Sequence, residues 1–257
     1  MELSYALEFL HMFNLTMFQW SWFFVGALMI GFSKTGINGF LMLVIPILAD
    51  VFGGRESTGI ILPMLIVGDL FAVWYYHRHT EWGNIKKLLP WTVVGLALGL
   101  TVGKYIDDSQ FKTLIAIMVL ICLIILAYTE MKGDRLNVPK KLWFSALIGI
   151  LVGFASMIGN VAGPIFTLYL LASDFKKNDF MGTTAWFFLI INIAKVPLQI
   201  FVWHNISIKS IMLAFSMIPA ITIGALVGVA IIKKLDDKFF RNIVIGITAI
   251  ATIKLFI

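Results

Sequence analysis

Apolar residues run along this chain in long continuous stretches, with neither the strict alternation of a half-buried strand nor the polar face of a surface helix. The stretches are 16–53, 59–76, 88–106, 111–129, 142–172, 181–203, 207–232 and 240–257. A membrane-crossing helix takes about 20 apolar residues, so most of these predict single spans. The stretches 16–53 and 142–172 do not fit. Each is too long for one span and short for two with a loop, and each is interrupted near its middle by glycine and polar residues. The first interruption reads Gly-Phe-Ser-Lys-Thr-Gly-Ile-Asn-Gly over 31–39, and the second spans Gly153–Gly163.

The pattern also recurs. At an offset of 123, Gly36 matches Gly159, Leu48 matches Leu171, Gly59 matches Gly182, and Asp69 falls on Asn192. Further on, Gly99 and Gly103 correspond to Gly224 and Gly228, and "Lys104…Asp107-Asp108…Phe111" to "Lys233…Asp236-Asp237…Phe240". The order of broken stretch, helix, glycine-rich helix, Asp-Asp loop and last helix is kept, which a duplication explains. The expected organisation is one transmembrane domain over 1–257, with a first repeat at 16–129 and a second at 142–257.

Charge placement orients the repeats. Basic residues collect in loops 77–87, 130–141 and 233–241, while loop 203–209 carries only Lys209 and the first fifteen residues carry Glu2 and Glu8 without Lys or Arg. If each broken stretch enters and leaves by the same side, all three basic loops share a side, as the cytoplasmic bias of Lys and Arg requires. If each crosses once, loop 233–241 lies opposite the others. The expected fold is therefore an all-α polytopic membrane protein of two inverted-topology repeats. Each is a glycine-broken helical hairpin followed by three transmembrane helices. Arms of about 15 residues favour re-entry over spanning. Loops 77–87, 130–141 and 233–241 are expected to be cytoplasmic, in a bacterial-type inner or plasma membrane. The N-terminus lacks the basic start of a signal peptide, and Leu3–Phe13 reads as an interfacial segment.

Composition agrees. Charged residues make up 13% of the chain, against roughly 25% in soluble domains. The net charge of +6 does not point to nucleic acid, because the basic residues sit in short loops between apolar stretches. Cys122 has no second cysteine to pair with.

Chemistry concentrates where the apolar pattern fails. Glycine-broken segments at matching places in two inverted halves point to a transporter's binding site, and free N–H groups at half-helix N-termini favour an anion. Three charges lie inside apolar stretches: Lys34 at the first break, Asp69 in "LIVGDLFAV" and Lys195 in "INIAKVPL". Two lysines against one aspartate leave a surplus positive charge, which suits an anionic substrate. A structural Lys34–Asp69 pair, with Lys195 reaching to an interface, is the competing reading. Asp69 is the candidate for proton coupling. The expected substrate-binding set is Lys34, Thr35, Gly36, Asn38, Gly39, Ser156, Gly159, Asn160, Gly163, Thr183, Thr184, Asn192 and Lys195. Gly95, Gly99, Gly103, Gly224 and Gly228 carry small-residue spacing for close helix packing, within the chain or across a homodimer. Trp20, Trp22, Trp82, Trp91, Trp143 and Trp203 read as an aromatic belt, with Trp186 deep enough to line a pathway. The sequence shows no nucleophile elbow, P-loop or metal-ligand spacing, so neither an enzyme nor a cofactor or metal is expected. The partners expected are a small anion and the lipid bilayer.

These residues resemble the sulfite exporter TauE/SafE family of membrane permeases. "GINGFLMLVIPIL" (36–48) and "GNVAGPIFTLYLL" (159–171) look like the glycine-rich openings of that family's two halves, and "STGIILPMLIVGDLFAVWYYHRH" (57–79) and "FMGTTAWFFLIINIAKVPL" (180–198) are similar to the helices that follow. Phe40 and Ala162 thin the glycine clusters, and Tyr169 stands opposite Pro46. The resemblance, over about 26–257, implies a secondary transporter of small sulfur-containing anions such as sulfite or organosulfonates. A passive anion channel and a non-transport membrane subunit are the alternatives.

Overall fold

A computed structural model describes residues 13, 15–35, 40–132, 141–171 and 177–231. Within them the chain is helical throughout, with no strand. The helices are α1 (Met17–Thr35), α2 (Phe40–Phe52), α3 (Gly54–Tyr76), α4 (Trp82–Tyr105), α5 (Asp108–Lys132), α6 (Leu142–Gly159), α7 (Gly163–Leu171), α8 (Lys177–Leu198), α9 (Ile208–Ser216) and α10 (Ile218–Ile231). A π-helical turn, Gln199–Trp203, extends α8 just beyond Pro197, where the missing proline N–H loosens the helical ladder. Helices α3, α4, α5, α6 and the extended α8 are long and apolar enough to cross a membrane, and α9 with α10, bent by 47°, makes a sixth candidate. Segment 36–39, Leu3–Phe13 apart from Phe13, most of loop 130–141, loop 233–241 and the last apolar stretch lie outside the described residues.

Both long stretches break as expected, but into unequal arms. The first arms have 19 and 18 residues (α1, α6) and the second arms 13 and 9 (α2, α7). At about 1.5 Å per residue, α1 and α6 are each roughly 27–28 Å long, longer than the equal arms the sequence suggested. The second break is specified by Asn160, one of two non-glycine residues with positive φ among the described residues (φ 56°). Asparagine tolerates this left-handed cap better than most side chains. Asn160 N–H donates to Ser156 O and Val161 N–H to Ala155 O, closing α6.

The closest packing joins the first part of one half to the later part of the other. Helix α4 runs parallel to α6, and α1 parallel to α10. Glycine makes this possible. A Cβ on Gly95 would collide with the Ile150 carbonyl, one on Gly153 with the Thr92 carbonyl, one on Gly31 with the Ile221 carbonyl and one on Gly224 with the Leu28 carbonyl. Gly99 and Gly103 lie against Met157 and Trp203, and Gly228 against Thr35. These faces are used inside the chain and lend no support to a homodimer through them.

Helices α3 and α8 cross at the centre and are antiparallel. Gly59 near the start of α3 meets Asn205 beyond the end of α8, Asp69 meets Asn192, and the Tyr76–His79 end meets Gly182 near the start of α8. Buried apolar side chains form two cores. One joins α1, α3, α9 and α10 with Val44 and Leu48 of α2. The other joins α4 to α8 with Met42, Ile45 and Ala49 from the opposite face of α2. Among the tryptophans, Trp82 and Trp143 are exposed, as a belt requires, whereas Trp203 is buried and donates to Leu100 O at 3.1 Å.

Gly153→Ala should push α4 and α6 apart and destabilise the protein by about 1–3 kcal/mol, the usual cost of overpacking. Gly83→Ala, at a position with open space around it, should cost nothing. Thermal unfolding of the two detergent-solubilised variants reads the difference.

Candidate functional site

The two breaks converge on a cavity of about 50 Å³. A single water needs roughly 10–15 Å³ measured in this way, so the space suits a few waters or one compact anion. Its wall is built from Ser33 and Lys34 at the end of α1, Leu41 and Met42 at the start of α2, Leu65, Asp69 and Ala72 of α3, Ser156 and Asn160 at the end of α6, Gly163 and Pro164 at the start of α7, and Thr184, Phe188 and Asn192 of α8. Thus α2 and α7 begin at the cavity. Helix α7 opens with Gly163-Pro164, a proline position that forfeits no hydrogen bond.

Polar groups join the walls in two linked clusters. In the first, Lys34 Nζ lies 2.6 Å from Asp69 Oδ1, and Asn192 Nδ2 donates to Asp69 Oδ2 at 2.6 Å. The Lys34 ammonium also sits 5.0 Å from the Phe188 ring centroid, within cation–π range. In the second, Lys195 Nζ donates to Ser156 O at 3.0 Å, to Ser156 Oγ at 3.1 Å and to Asn160 Oδ1 at 2.5 Å. Asn192 and Lys195 are three residues apart and share a face of α8, so that helix carries both clusters.

Burial sets the electrostatics. Asp69 and Lys195 are 1% and 0% exposed. Asp69 has Lys34 as counter-charge. Lys195 has only neutral oxygens, and one of them belongs to the C-terminal turn of α6, where a helix accommodates a cation. The site therefore holds two lysines and one aspartate, and no second carboxylic acid lines it among the described residues. Asn160 is 5% exposed, and its Nδ2 has no hydrogen-bond partner.

The structure sorts the sequence-derived set. Lys34, Ser156, Asn160, Gly163, Thr184 and Asn192 line the cavity together with Asp69. Lys195 stands behind Ser156 and Asn160, outside the lining. Thr35 Oγ1 turns away to Ala225 O at 2.7 Å, and Thr183 Oγ1 accepts from Glu81 N–H at 3.0 Å. Gly159 faces Val161 and Ile115. Gly36, Asn38 and Gly39 lie outside the described residues. Trp186 packs against Trp82, ring centroids 5.3 Å apart, and is not part of the wall. Sequence reasoning missed Ser33 and Phe188. Ser33 was recoverable as the polar neighbour of Lys34 at the break, whereas Phe188 looks like any other aromatic in an apolar helix.

Apolar membrane-length helices packed around a buried, charged cavity define a polytopic helical membrane protein with an internal polar site. The model of the family described as Sulfite exporter TauE/SafE matches residues 23–255, and the chain belongs to that family. Its members are membrane transporters. No curated protein and no solved structure matches the chain.

Because Lys34 and Asp69 neutralise each other in a largely buried place, removing one leaves the other uncompensated. Lys34→Met or Asp69→Asn alone should cost about 3–5 kcal/mol, and the double variant should recover most of that loss. Thermal denaturation of the four proteins checks it, and additive losses would show that the pair is not coupled.

Proposed function

We propose that this chain is a secondary transporter for a small sulfur-containing anion, with sulfite the first candidate and organosulfonates the second. The observation that carries the reading is the surplus of two lysines over one aspartate at a cavity between two helix breaks. An anion there would complete the charge balance and would meet the N-terminal ends of α2 and α7, where the helix dipole favours negative charge. Lys34 and the Ser33, Ser156, Asn160 and Thr184 side chains are the groups on the wall for it. Lys195 stands behind Ser156 and Asn160.

Alternating access is the mechanism that this architecture supports. The order broken pair, long helix, glycine-rich helix recurs as α1–α4 and as α6–α10. The antiparallel arrangement of α3 and α8 supports inverted repeats at 16–129 and 142–257. If each broken stretch crossed the membrane once, the two helices would run parallel. The same reading puts the basic loops 77–87, 130–141 and 233–241 on the cytoplasmic side. Asp69 is the proposed coupling residue, because a proton on its carboxylate would release the Lys34 ammonium to face the anion.

Purified protein in liposomes tests the function. Sulfite flux should saturate with concentration and respond to an imposed pH step, and Lys34→Ala should reduce it at least tenfold, the effect of roughly 1.4 kcal/mol. Flux that rises linearly with concentration and ignores the pH step would identify a passive channel. Absence of flux for sulfite and for organosulfonates would remove the transport reading.

A further inference from the structure

The amide of Asn160 has a fixed orientation. An ammonium group only donates hydrogen bonds, so the 2.5 Å contact with Lys195 Nζ requires the oxygen, Asn160 Oδ1, on that side. The nitrogen is thereby turned the other way, as a buried donor without a partner in a residue that lines the cavity. The same ammonium also holds Ser156 through its carbonyl and hydroxyl. Backbone geometry reinforces the arrangement, because Asn160 is the left-handed cap of α6 and stands three residues before the start of α7. We propose that Asn160 Nδ2 is the donor that takes an oxygen of the anion, and that Lys195 is a positioning residue that aims it without touching the anion. This assignment rests on the anion site proposed above.

The test reads binding separately from flux, through the rise in melting temperature that sulfite, thiosulfate or sulfate produces in the detergent-purified full chain, with dissociation constants taken from the titration. Asn160→Ala and Lys195→Met should each weaken anion binding about tenfold, while the double variant should be no weaker than Asn160→Ala alone, because Lys195 acts through Asn160. Lys195→Arg, which keeps the charge but not the reach, should weaken binding as Lys195→Met does. Multiplicative losses in the double variant, or full affinity in Lys195→Arg, would show that Lys195 acts on the anion directly and overturn the proposal. So would unchanged binding by Asn160→Ala, or the absence of stabilisation of the wild-type chain by any of the three anions. Stabilisation without flux would leave this assignment standing and remove the transport function.

An independent observation concerns the moving parts. The two apolar cores do not coincide with the two sequence repeats. The bundle α1, α3, α9 and α10 takes its last two helices from the second repeat, and the bundle α4–α8 takes its first two from the first repeat, with α2 following α1 in the chain and lending one face to each core. The glycine-packed pairs α1–α10 and α4–α6 each lie inside one bundle. The chain passes between bundles only twice among the described residues, at 77–81 and at 204–207. Each passage is a non-helical segment abutted by a glycine of the crossing pair, His79 by Gly182 and Asn205 by Gly59. The second follows the π-helical turn and contains His204 at φ 55°. The cavity has α1, α2 and α3 on one side and α6, α7 and α8 on the other. The Lys34–Asp69 ion pair lies within the first bundle and the Lys195 hydrogen bonds within the second, while the Asn192–Asp69 hydrogen bond and the Lys34–Phe188 contact cross between them. We infer that the bodies that move during transport are these exchanged bundles, hinged at 77–81 and 204–207, and not the sequence repeats.

Two cross-links separate the alternatives. Arg55 N–H donates to Asp108 Oδ1 at 3.3 Å, joining one repeat across the two bundles. Tyr169 and Asn84, with side chains 3.5 Å apart, join two repeats within one bundle. Each pair is replaced by cysteines in a Cys122→Ala background and bridged with a short bismaleimide. Bridging Arg55→Cys/Asp108→Cys should abolish sulfite flux, and bridging Asn84→Cys/Tyr169→Cys should leave most of it. The reverse result would make the repeats the moving bodies. Spin labels at the same two pairs read the motion without flux. Sulfite should shift the first distance and leave the second unchanged, and a shift confined to the second, or none in either, would overturn the inference.

Discussion

The structure depends on keeping charge inside a membrane without water. Lys195 is the hardest case, a fully buried ammonium with no carboxylate beside it. Insertion scales put such a lysine at about 2.5–3.5 kcal/mol at the bilayer centre. The chain offsets this with three oxygens. The Ser156 carbonyl is shared between the helical bond from Asn160 N–H and the Lys195 ammonium, and Asn160 Oδ1 comes from the left-handed turn that ends α6. The break in the second stretch thus supplies the shortest of the three contacts, and Lys195 ties both sides of that turn together. The first half reaches the same end by other residues. There the lysine is on the tip, at Lys34, and the partner is on the following helix, at Asp69. Each half thus ties its broken arm to its next helix with one lysine, placed at opposite ends of the tie.

Much of this was legible in one dimension. Membrane class, helix order and the two interruptions follow from the length of the apolar stretches, because lipid permits few other solutions. The offset of 123 that places Asp69 on Asn192 appears in space as a direct hydrogen bond, which a pseudo-two-fold relation predicts for residues near its axis. The lysines were legible as anomalies, since an apolar helix has no use for them unless something answers their charge. Arm lengths were not legible, because the helices on either side of each break are unequal: α1 to Thr35 and α6 to Gly159 run longer than the arms that follow. The direction of each hydroxyl was also out of reach. Thr35 and Thr184 look alike in sequence, but α10 lies close enough to capture the first, and that closeness comes from glycines nearly 200 residues away.

The glycine-rich helices explain why repeats and bundles differ. A small-residue face packs best against another helix at short distance, and here each such face finds the first arm of the other half. Once α4 is committed to α6, and α10 to α1, the halves are interlocked and cannot separate as blocks. Two apolar cores then form around the interlocked pairs, and the seam left between them is where polar groups collect. The cavity lies on that seam because it is where packing is not already optimised by glycine contacts.

Charge balance gives that seam a bias. With Lys34, Lys195 and Asp69 all ionised, the empty site carries one net positive charge among the described residues. A bound monoanion makes it neutral, so a loaded site would pass through the apolar surroundings at lower electrostatic cost than an empty one. A dianion would reverse the sign and restore the cost unless one proton came with it, and Asp69 is the acid there to receive that proton. Protonation would also dissolve the Lys34–Asp69 pair, leaving the Lys34 charge for the dianion. The single aspartate then tunes the site between anions of different charge, and the Asn192–Asp69 hydrogen bond, a polar link across the seam at the cavity, is the point where the state of the acid is felt by both bundles.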